Sequence, residues 1–351
     1  MADERNTAFQ LNCPLPSDGA GRVTMAHGGG GRMTERLIEE VFLPVFKSSE
    51  LGRKHDGAYL NVPAGRLAMT TDSFVVNPLF FPGGSIGSLA VHGTVNDLAM
   101  CGARPLYITA GFILEEGLEI ATLTRIAAGM AEAAHDAGVE IVTADTKVVE
   151  RGKGDGVYIN TTGIGECVID DTGPWRAAPG DAVIISGDLG RHGIAIMSLR
   201  SGIEFDAPLE SDSAPLWPAV SALIDAGLTI HCMRDLTRGG LSSALNEIAK
   251  ARGVEVTIDE DAIPVGDAVR GACEFLGLDP LYVANEGRFC VVLPRRDADR
   301  AVEVLKGVEV SAGAVVIGSV DEGRSRVVMR TRIGGRRVVD MLSGEQLPRI
   351  C

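Results

Sequence analysis

Glycine constrains this chain more than any other feature. It supplies 44 of the 351 residues, about one in eight against a background near 7%. Glycine weakens the interiors of helices and strands and suits tight turns, so this content implies many short elements joined by tight connections. That is the pattern of an α/β or α+β protein. A hydrophobic share of 45% and a charged share of 23% exclude disorder, collagen and coiled coil for the chain as a whole. No repeat with a period of about 20 to 50 residues is present. At roughly 100 to 200 residues per domain, the length predicts two domains, each with its own core, and a cleft between them.

The hydrophobic pattern fills in these elements. Arg66–Val76 reads as a strand, Gly84–Met100 as a helix with apolar positions at 86, 89, 90, 95, 98 and 99, and Arg104–Leu114 as a strand. Ile120–Ala137 is helical in pattern and closes on Gly138, after which Val139–Val149 and Tyr158–Gly165 return as strands. Between Cys167 and Asp181 the pattern breaks into Asp170-Asp171-Thr172-Gly173-Pro174-Trp175 and Ala178-Pro179-Gly180, a domain boundary. It restarts with a buried strand at 181–187, a helix Leu241–Lys250, a strand Phe289–Pro294 and a helix Ala298–Lys306. The expected layout is an extension over 1–26, an N-terminal domain over 27–168, a C-terminal domain over 169–342 and a mobile tail over 343–351.

Charge and cysteine usage narrow the functional classes. Thirty-three Lys and Arg face 47 Asp and Glu, a net charge of −14 with no basic cluster, so nucleic acid and anionic membranes are poor partners. No leader and no apolar run near the roughly 20 residues of a membrane span is evident, and a cytoplasmic location is expected. The seven cysteines, at 13, 101, 167, 232, 273, 290 and 351, include no Cys-x-x-Cys pair, which argues against a disulfide framework and a structural zinc. All but the last are expected to pack as small buried thiols.

Four constellations carry chemistry. His27-Gly28-Gly29-Gly30-Gly31-Arg32 precedes a helical pattern over Met33–Phe42, and glycines entering a helix N-terminus offer N–H groups to phosphate. It lacks a Walker A lysine, and a flexible hinge explains the run equally well. Asp56, Asp72, Asp97 and Asp145 each stand at a strand end or loop start beside apolar residues. Converging, they would hold Mg²⁺, which takes oxygen ligands shared with phosphates; singly, each also reads as a turn or cap. Asp235-Leu-Thr-Arg-Gly239-Gly240 leads into a helix, and Ala284-Asn285-Glu286-Gly287 sets an amide and a carboxylate beside a glycine, with an ordinary turn as the alternative. The chain ends Leu347-Pro348-Arg349-Ile350-Cys351. Termini are normally mobile and exposed thiols a liability, so a terminal cysteine is either an accident at a frayed end or a carrier. Nine residues at roughly 3.3 Å each give it a reach of about 30 Å.

Together, the His27–Arg32 run, Thr70–Gly84, Val95–Pro105, Ala144–Val149, Ala284–Gly287 and the final Pro348–Cys351 resemble the HypE family. These are the carbamoyl dehydratases of NiFe-hydrogenase maturation, within the aminoimidazole ribonucleotide synthetase superfamily. The resemblance runs from His27 to Cys351, and Pro-Arg-Ile-Cys is specific to this branch. It implies an α/β (α+β), PurM-like architecture of two domains, dimerising through the N-terminal one, with ATP and Mg²⁺ in the cleft. By motif, the metal ligands are Asp56, Asp72, Asp97 and Asp145. The ATP-binding residues are His27, Gly28, Gly29, Gly30, Asn96, Asp235, Gly239, Gly240 and Asn285. The catalytic residues are Cys351 as carbamoyl acceptor, Glu286 as base and Lys147 orienting the group or stabilising negative charge. The implied reaction turns an S-carboxamide on Cys351 into an S-cyanate that supplies the iron centre's cyanide ligands. The implied partners are the carbamoyltransferase HypF and the iron-scaffold complex HypC–HypD. The alternatives are a small-molecule phosphotransferase similar to thiamine-monophosphate kinase and a non-catalytic scaffold for metallocentre assembly.

Overall fold

The computed structural model describes residues 21–29, 31–54, 57–202, 209–341 and 349–351. Residues 1–20 with Cys13, Gly30, Asp56 and residues 342–348 of the tail lie outside the described residues. Three short helices open the described chain, α1 (Arg32–Leu37), α2 (Leu43–Phe46) and α3 (Ser49–Gly52). The helix expected over Met33–Phe42 starts as α1 and then widens into π-helical turns over Ile38–Phe42. Pro44, in the first turn of α2, has no N–H for the helical bond back to residue 40, and the helix loosens just ahead of it.

The first layer follows as β1 (Leu67–Phe74), the hairpin β2 (Phe80–Phe81) and β3 (Gly84–Ser85), α4 (Ile86–Met100), β4 (Ala103–Glu115), α5 (Ile120–Asp136), β5 (Glu140–Val149) and β6 (Val157–Cys167). Its four-stranded sheet runs β1-β6-β4-β5. Only β4 and β5 are parallel, because α5 carries the chain across between them. One face is covered: Ile108, Ala110, Phe112 and Leu114 of β4 and Ile159 of β6 pack with Leu89, Leu123, Ile126 and Met130 of the two helices. The other face is open, with Met69 72%, Leu67 46% and Ile113 45% exposed.

The second layer comprises β7 (Asp181–Ile185), α6 (Arg191–Ser201), α7 (Trp217–Asp225), β8 (Cys232–Asp235), α8 (Gly240–Arg252), β9 (Glu255–Asp259), α9 (Asp267–Leu276), β10 (Phe289–Pro294), α10 (Ala298–Lys306), β11 (Val315–Asp321), β12 (Arg326–Arg330) and β13 (Arg336–Val339). Its seven strands run β13-β12-β9-β11-β7-β10-β8. Both faces are sealed. On one, Val183, Ile185, Cys290 and Val292 meet Leu241, Leu245 and Ile248 of α8; on the other, Ala182, Ile184, Val291 and Leu293 meet Val220, Leu223 and Leu305 of α7 and α10. Burial on both sides is why these strands read as unbroken apolar runs rather than alternations.

The two layers meet along α4. Its last residues, Ala99 and Met100, join the apolar layer of α7 and α10, and β8 packs against the same helix. Cys232, Cys273 and Cys290 are buried as expected, whereas Cys101 is exposed and Cys167 half-buried. Cys101 caps the C-terminal end of α4, where the side chain leaves the packed face. No helix among the described residues is long and apolar enough to cross a membrane.

Candidate active site

Three of the expected carboxylates gather where β1, α4 and β8 meet. Asp72 alternates onto the α4 face of β1, and Thr70, two residues earlier on that face, donates its hydroxyl to Asp97 Oδ2 of α4 at 2.7 Å. Asp235 ends β8. Burial pushes the Asp72 carboxyl up to about 6, with the Asp97 charge adding to it and Arg238 opposing. Asp235 rises to about 7, through burial first and then Asp97, against Arg234. Asp97 is raised by burial, opposed by the Thr70 hydrogen bond and Arg234. Crowded negative charge in a half-desolvated corner disfavours its own ionisation.

The end of the chain docks beside this corner; of the tail expected over 343–351, residues 349–351 are described. Ile350 is only 4% exposed and joins the cluster that also holds Phe81, Ile196 and Ala284. Its carbonyl accepts from His192 Nε2 at 2.6 Å. The carbonyl of Arg349 accepts from the Asn77 N–H at 3.3 Å and from the Arg200 guanidinium. Arg349 itself, at φ +57°, pairs with Asp155 at 2.9 Å. One buried side chain, an ion pair and several hydrogen bonds outweigh the freedom a three-residue end would otherwise keep.

This docking sets the Cys351 thiol against the carboxyl of Glu286. Burial holds the thiol well above its usual range, and the charges of Glu286 and Asp72 add to that while Arg238 opposes. Glu286 is 3% exposed. Burial, and then Asp235, Asp212 and Asp72, raise its carboxyl well above the usual range, with the thiol contact opposing. Its Oε1 is buried without a hydrogen-bond partner. An orphaned buried acceptor beside a thiol is costly.

Other expected residues have different work. Asn96 uses its whole amide on the backbone, donating to Ala214 O (3.0 Å) and Glu286 O (3.3 Å) and accepting from Leu216 N (2.8 Å). Asn285 is fully buried; it accepts from Gly190 N at 2.7 Å and donates to Leu236 O and Val283 O. Both asparagines therefore brace the loops around the site. His27 is buried and its Nδ1 accepts from Thr24 N at 2.9 Å, closing a 3-10 turn. Gly28 lies so close to β5 that a Cβ would stand 2.6 Å from Val148 N, whereas Gly29 has room. Gly239 (φ +80°) and Gly240 (φ +57°) enter α8, and a Cβ on Gly240 would meet the carbonyls of Leu281 and Val283 at 2.7 Å. Close packing, rather than phosphate alone, requires that glycine.

Lys147 and Asp145 are not brought to the corner within one chain. They pair with each other at 3.3 Å, with side chains 65% and 75% exposed. Both lie on the open face of edge strand β5, opposite Ile113 and Gly111. Asp72 sits on the covered face at the other edge, three strand spacings or about 14 Å away. Conversely, no motif or spacing in the sequence points to Asp212, His192 or Asp155. Arg238 stood inside a quoted motif without a role.

With this geometry in place, comparison with known proteins is decisive. Residues 54–167 match the N-terminal domain of AIR synthase related proteins, and residues 178–330 match their C-terminal domain. A carbamoyl dehydratase HypE from Azotobacter vinelandii is 53% identical over 334 residues, covering 94% of this chain and 98% of that protein. The chain belongs to the HypE family. A crystal structure of hydrogenase maturation protein HypE in complex with ATP is similar at a TM-score of 0.90 and 50% identity, over 93% of this chain and 99% of that one. A HypE–HypF complex contains a chain similar at 0.77 and 47% identity, over 87% and 99%. The HypE fold, two AIR synthase-related domains, is the expected PurM-like architecture.

Proposed function

We propose that this chain is the ATP-dependent carbamoyl dehydratase that makes a cyano group for the hydrogenase iron centre, on the sulfur of Cys351. The observation that carries the reading is the docked thiol against Glu286, whose Oε1 has no partner. In the net reaction the S-carboxamide loses its carbonyl oxygen to a phosphoryl group, both N–H protons leave nitrogen, and a C≡N bond remains on sulfur. Asp72, Asp97 and Asp235 offer only oxygen donors, and among the described residues no group of three or more His, Cys, Asp or Glu side chains stands close enough together to hold a metal ion by itself. An open carboxylate corner suits Mg²⁺, which keeps waters and phosphate oxygens in its shell. When bound there, Mg²⁺–ATP supplies the phosphoryl group that makes the amide oxygen a leaving group.

The chain's own residues do the rest. His192 and the Ile350 pocket position the carrier sulfur, while the buried walls exclude water from the cyanate. Glu286 accepts the N–H protons. Its raised pKa makes it a strong base once ionised, and a cation among Asp72, Asp97 and Asp235 offsets the negative charges that oppose its ionisation. Lys147 acts only from a second protomer. The open sheet face carrying Met69 and Ile113 is the surface a homodimer through the N-terminal domains would cover, and Asp145 and Lys147 lie on it. HypF would load Cys351, and HypC–HypD would take the cyano group. Neither a free-substrate phosphotransferase nor a scaffold has a use for the Cys351–Glu286 contact. The test is intact mass after incubation with HypF, carbamoyl phosphate and Mg²⁺–ATP. The native chain should gain one carbamoyl group and then lose one water, and Cys351→Ala should gain nothing; ATP consumption without an adduct overturns the reading.

A further inference from the structure

We infer that His192 is a positioning residue, a latch that holds the reactive end of the chain against Glu286; this rests on the dehydratase reading above. The ring lies at the start of α6 with no exposed surface. A carbonyl oxygen only accepts, so the 2.6 Å contact to Ile350 O requires a hydrogen on Nε2. Nδ1 stands 2.8 Å from Ser211 Oγ, and that oxygen also receives the Ser213 N–H at 3.1 Å. One direction of donation satisfies every group: Ser213 N–H to Ser211 Oγ, Ser211 O–H to Nδ1, and Nε2–H to Ile350 O. Burial lowers the imidazole's pKa, against the Ile350 contact and Asp212, which keeps the ring in this neutral tautomer. Phe81 meets the ring edge-on at 5.4 Å between centroids and 84° between planes, fixing its orientation.

Asp212 ties the latch to the base. Its Oδ1 accepts from the His192 backbone N–H at 3.1 Å, and its Oδ2 accepts from the N–H groups of Glu286 (3.2 Å) and Gly287 (3.0 Å). A Cβ on Gly287 would stand 1.8 Å from Asp212 O, so only glycine lets these segments approach. One carboxylate thus registers the carboxyl of Glu286 and the ring that fixes the Cys351 carbonyl neighbour in a single unit. When the end of the chain leaves, the ring's Nε2–H loses its partner, a penalty that draws the end back. The latch therefore favours return of the loaded sulfur to the base over its stay outside.

The test compares the native chain with His192→Ala, His192→Gln and Ser211→Ala. Three quantities are read: alkylation of Cys351 by iodoacetamide, loading by HypF, and single-turnover loss of water from preloaded chains. Losing one buried hydrogen bond should change an equilibrium on the order of tenfold. His192→Ala should therefore raise Cys351 alkylation and slow dehydration by about that factor, leaving loading unimpaired. His192→Gln, which keeps a donor at the Nε2 position, should recover most of the loss. Ser211→Ala, which removes only the group that sets the tautomer, should give an intermediate effect and serves if the alanine variant does not fold. Unchanged alkylation and dehydration in both His192→Ala and Ser211→Ala overturn the latch while leaving the dehydratase reading intact. If the native loaded chain never loses water, the dehydratase reading fails, and the alkylation rates still judge the latch.

Discussion

The two sheets of this protein answer the same problem in opposite ways. The C-terminal sheet hides both faces under helices, and its central strands are apolar at every position from Ala182 to Ile185 and from Phe289 to Leu293. The N-terminal sheet hides one face only, and β1 alternates between half-buried and exposed residues along its length. The covered face of this sheet carries its core, and Met69 and Ile113 stand exposed on the other. The chemistry is divided along the same line. The acidic corner, Glu286 and the docked thiol sit on the covered side, where burial shifts their pKa values, and Asp145 and Lys147 sit on the open side, where water reaches them.

The sharpest way to break this division is at the base. Glu286→Gln keeps the shape of the buried side chain and removes its ability to take a proton. Single-turnover dehydration of the preloaded chain should fall by about 10²- to 10⁴-fold, with loading of Cys351 by HypF unchanged; near-native turnover would place the base elsewhere.

Stability should separate the sheets next. Ile184→Ala empties a fully buried position of the sealed sheet and should cost about 2–5 kcal/mol in chemical denaturation. Ile113→Ala, on the open face, should cost within about 0.5 kcal/mol. Ile113→Glu should instead convert a sedimenting dimer to monomer while the circular dichroism stays native. A dimer that survives this charge would assign the open face to something other than self-association.

A further contrast is electrostatic. Asp72 and Asp235 titrate near 6 and 7 in the folded protein, above the 3.8 of an unperturbed aspartate. The folded state therefore binds protons that the unfolded state has released, and this stabilisation is present below pH 4 and lost as pH rises through 6 and 7. Without divalent cation, the melting temperature should drop between pH 5 and pH 8. Mg²⁺ should restore it at pH 8 by favouring the charged carboxylates, and Asp72→Asn with Asp235→Asn should flatten the profile. Equal slopes with and without Mg²⁺ would remove the cation from this corner.

Much of the fold was legible along the chain because local patterns write it. The strand pattern over 66–76 and the helical pattern over 120–137 fall within two residues of β1 and α5, and the break near 167–181 separates the last strand of one sheet from the first of the next. The site was legible only as residue types. Asp72 and Asp97 announced themselves as carboxylates beside apolar residues, Asp235 by the glycine turn that follows it, and Glu286 by its place between an amide and a glycine. Asn96 and Asn285 looked equally functional, and nothing local could say that every amide atom was already committed to backbone.

By itself, the sequence determined the α/β layering, the two domains, the acidic character and the presence of a lone cysteine at the end. Those follow from composition and periodicity, which act over a few residues. Only the tertiary structure decided that Ile350 is buried, that His192 holds its carbonyl, and that Lys147 stands at the opposite edge of its sheet from Asp72. Such facts depend on contacts between segments more than a hundred residues apart, such as His192 with Ile350. Local propensity carries no trace of a partner that only folding brings near.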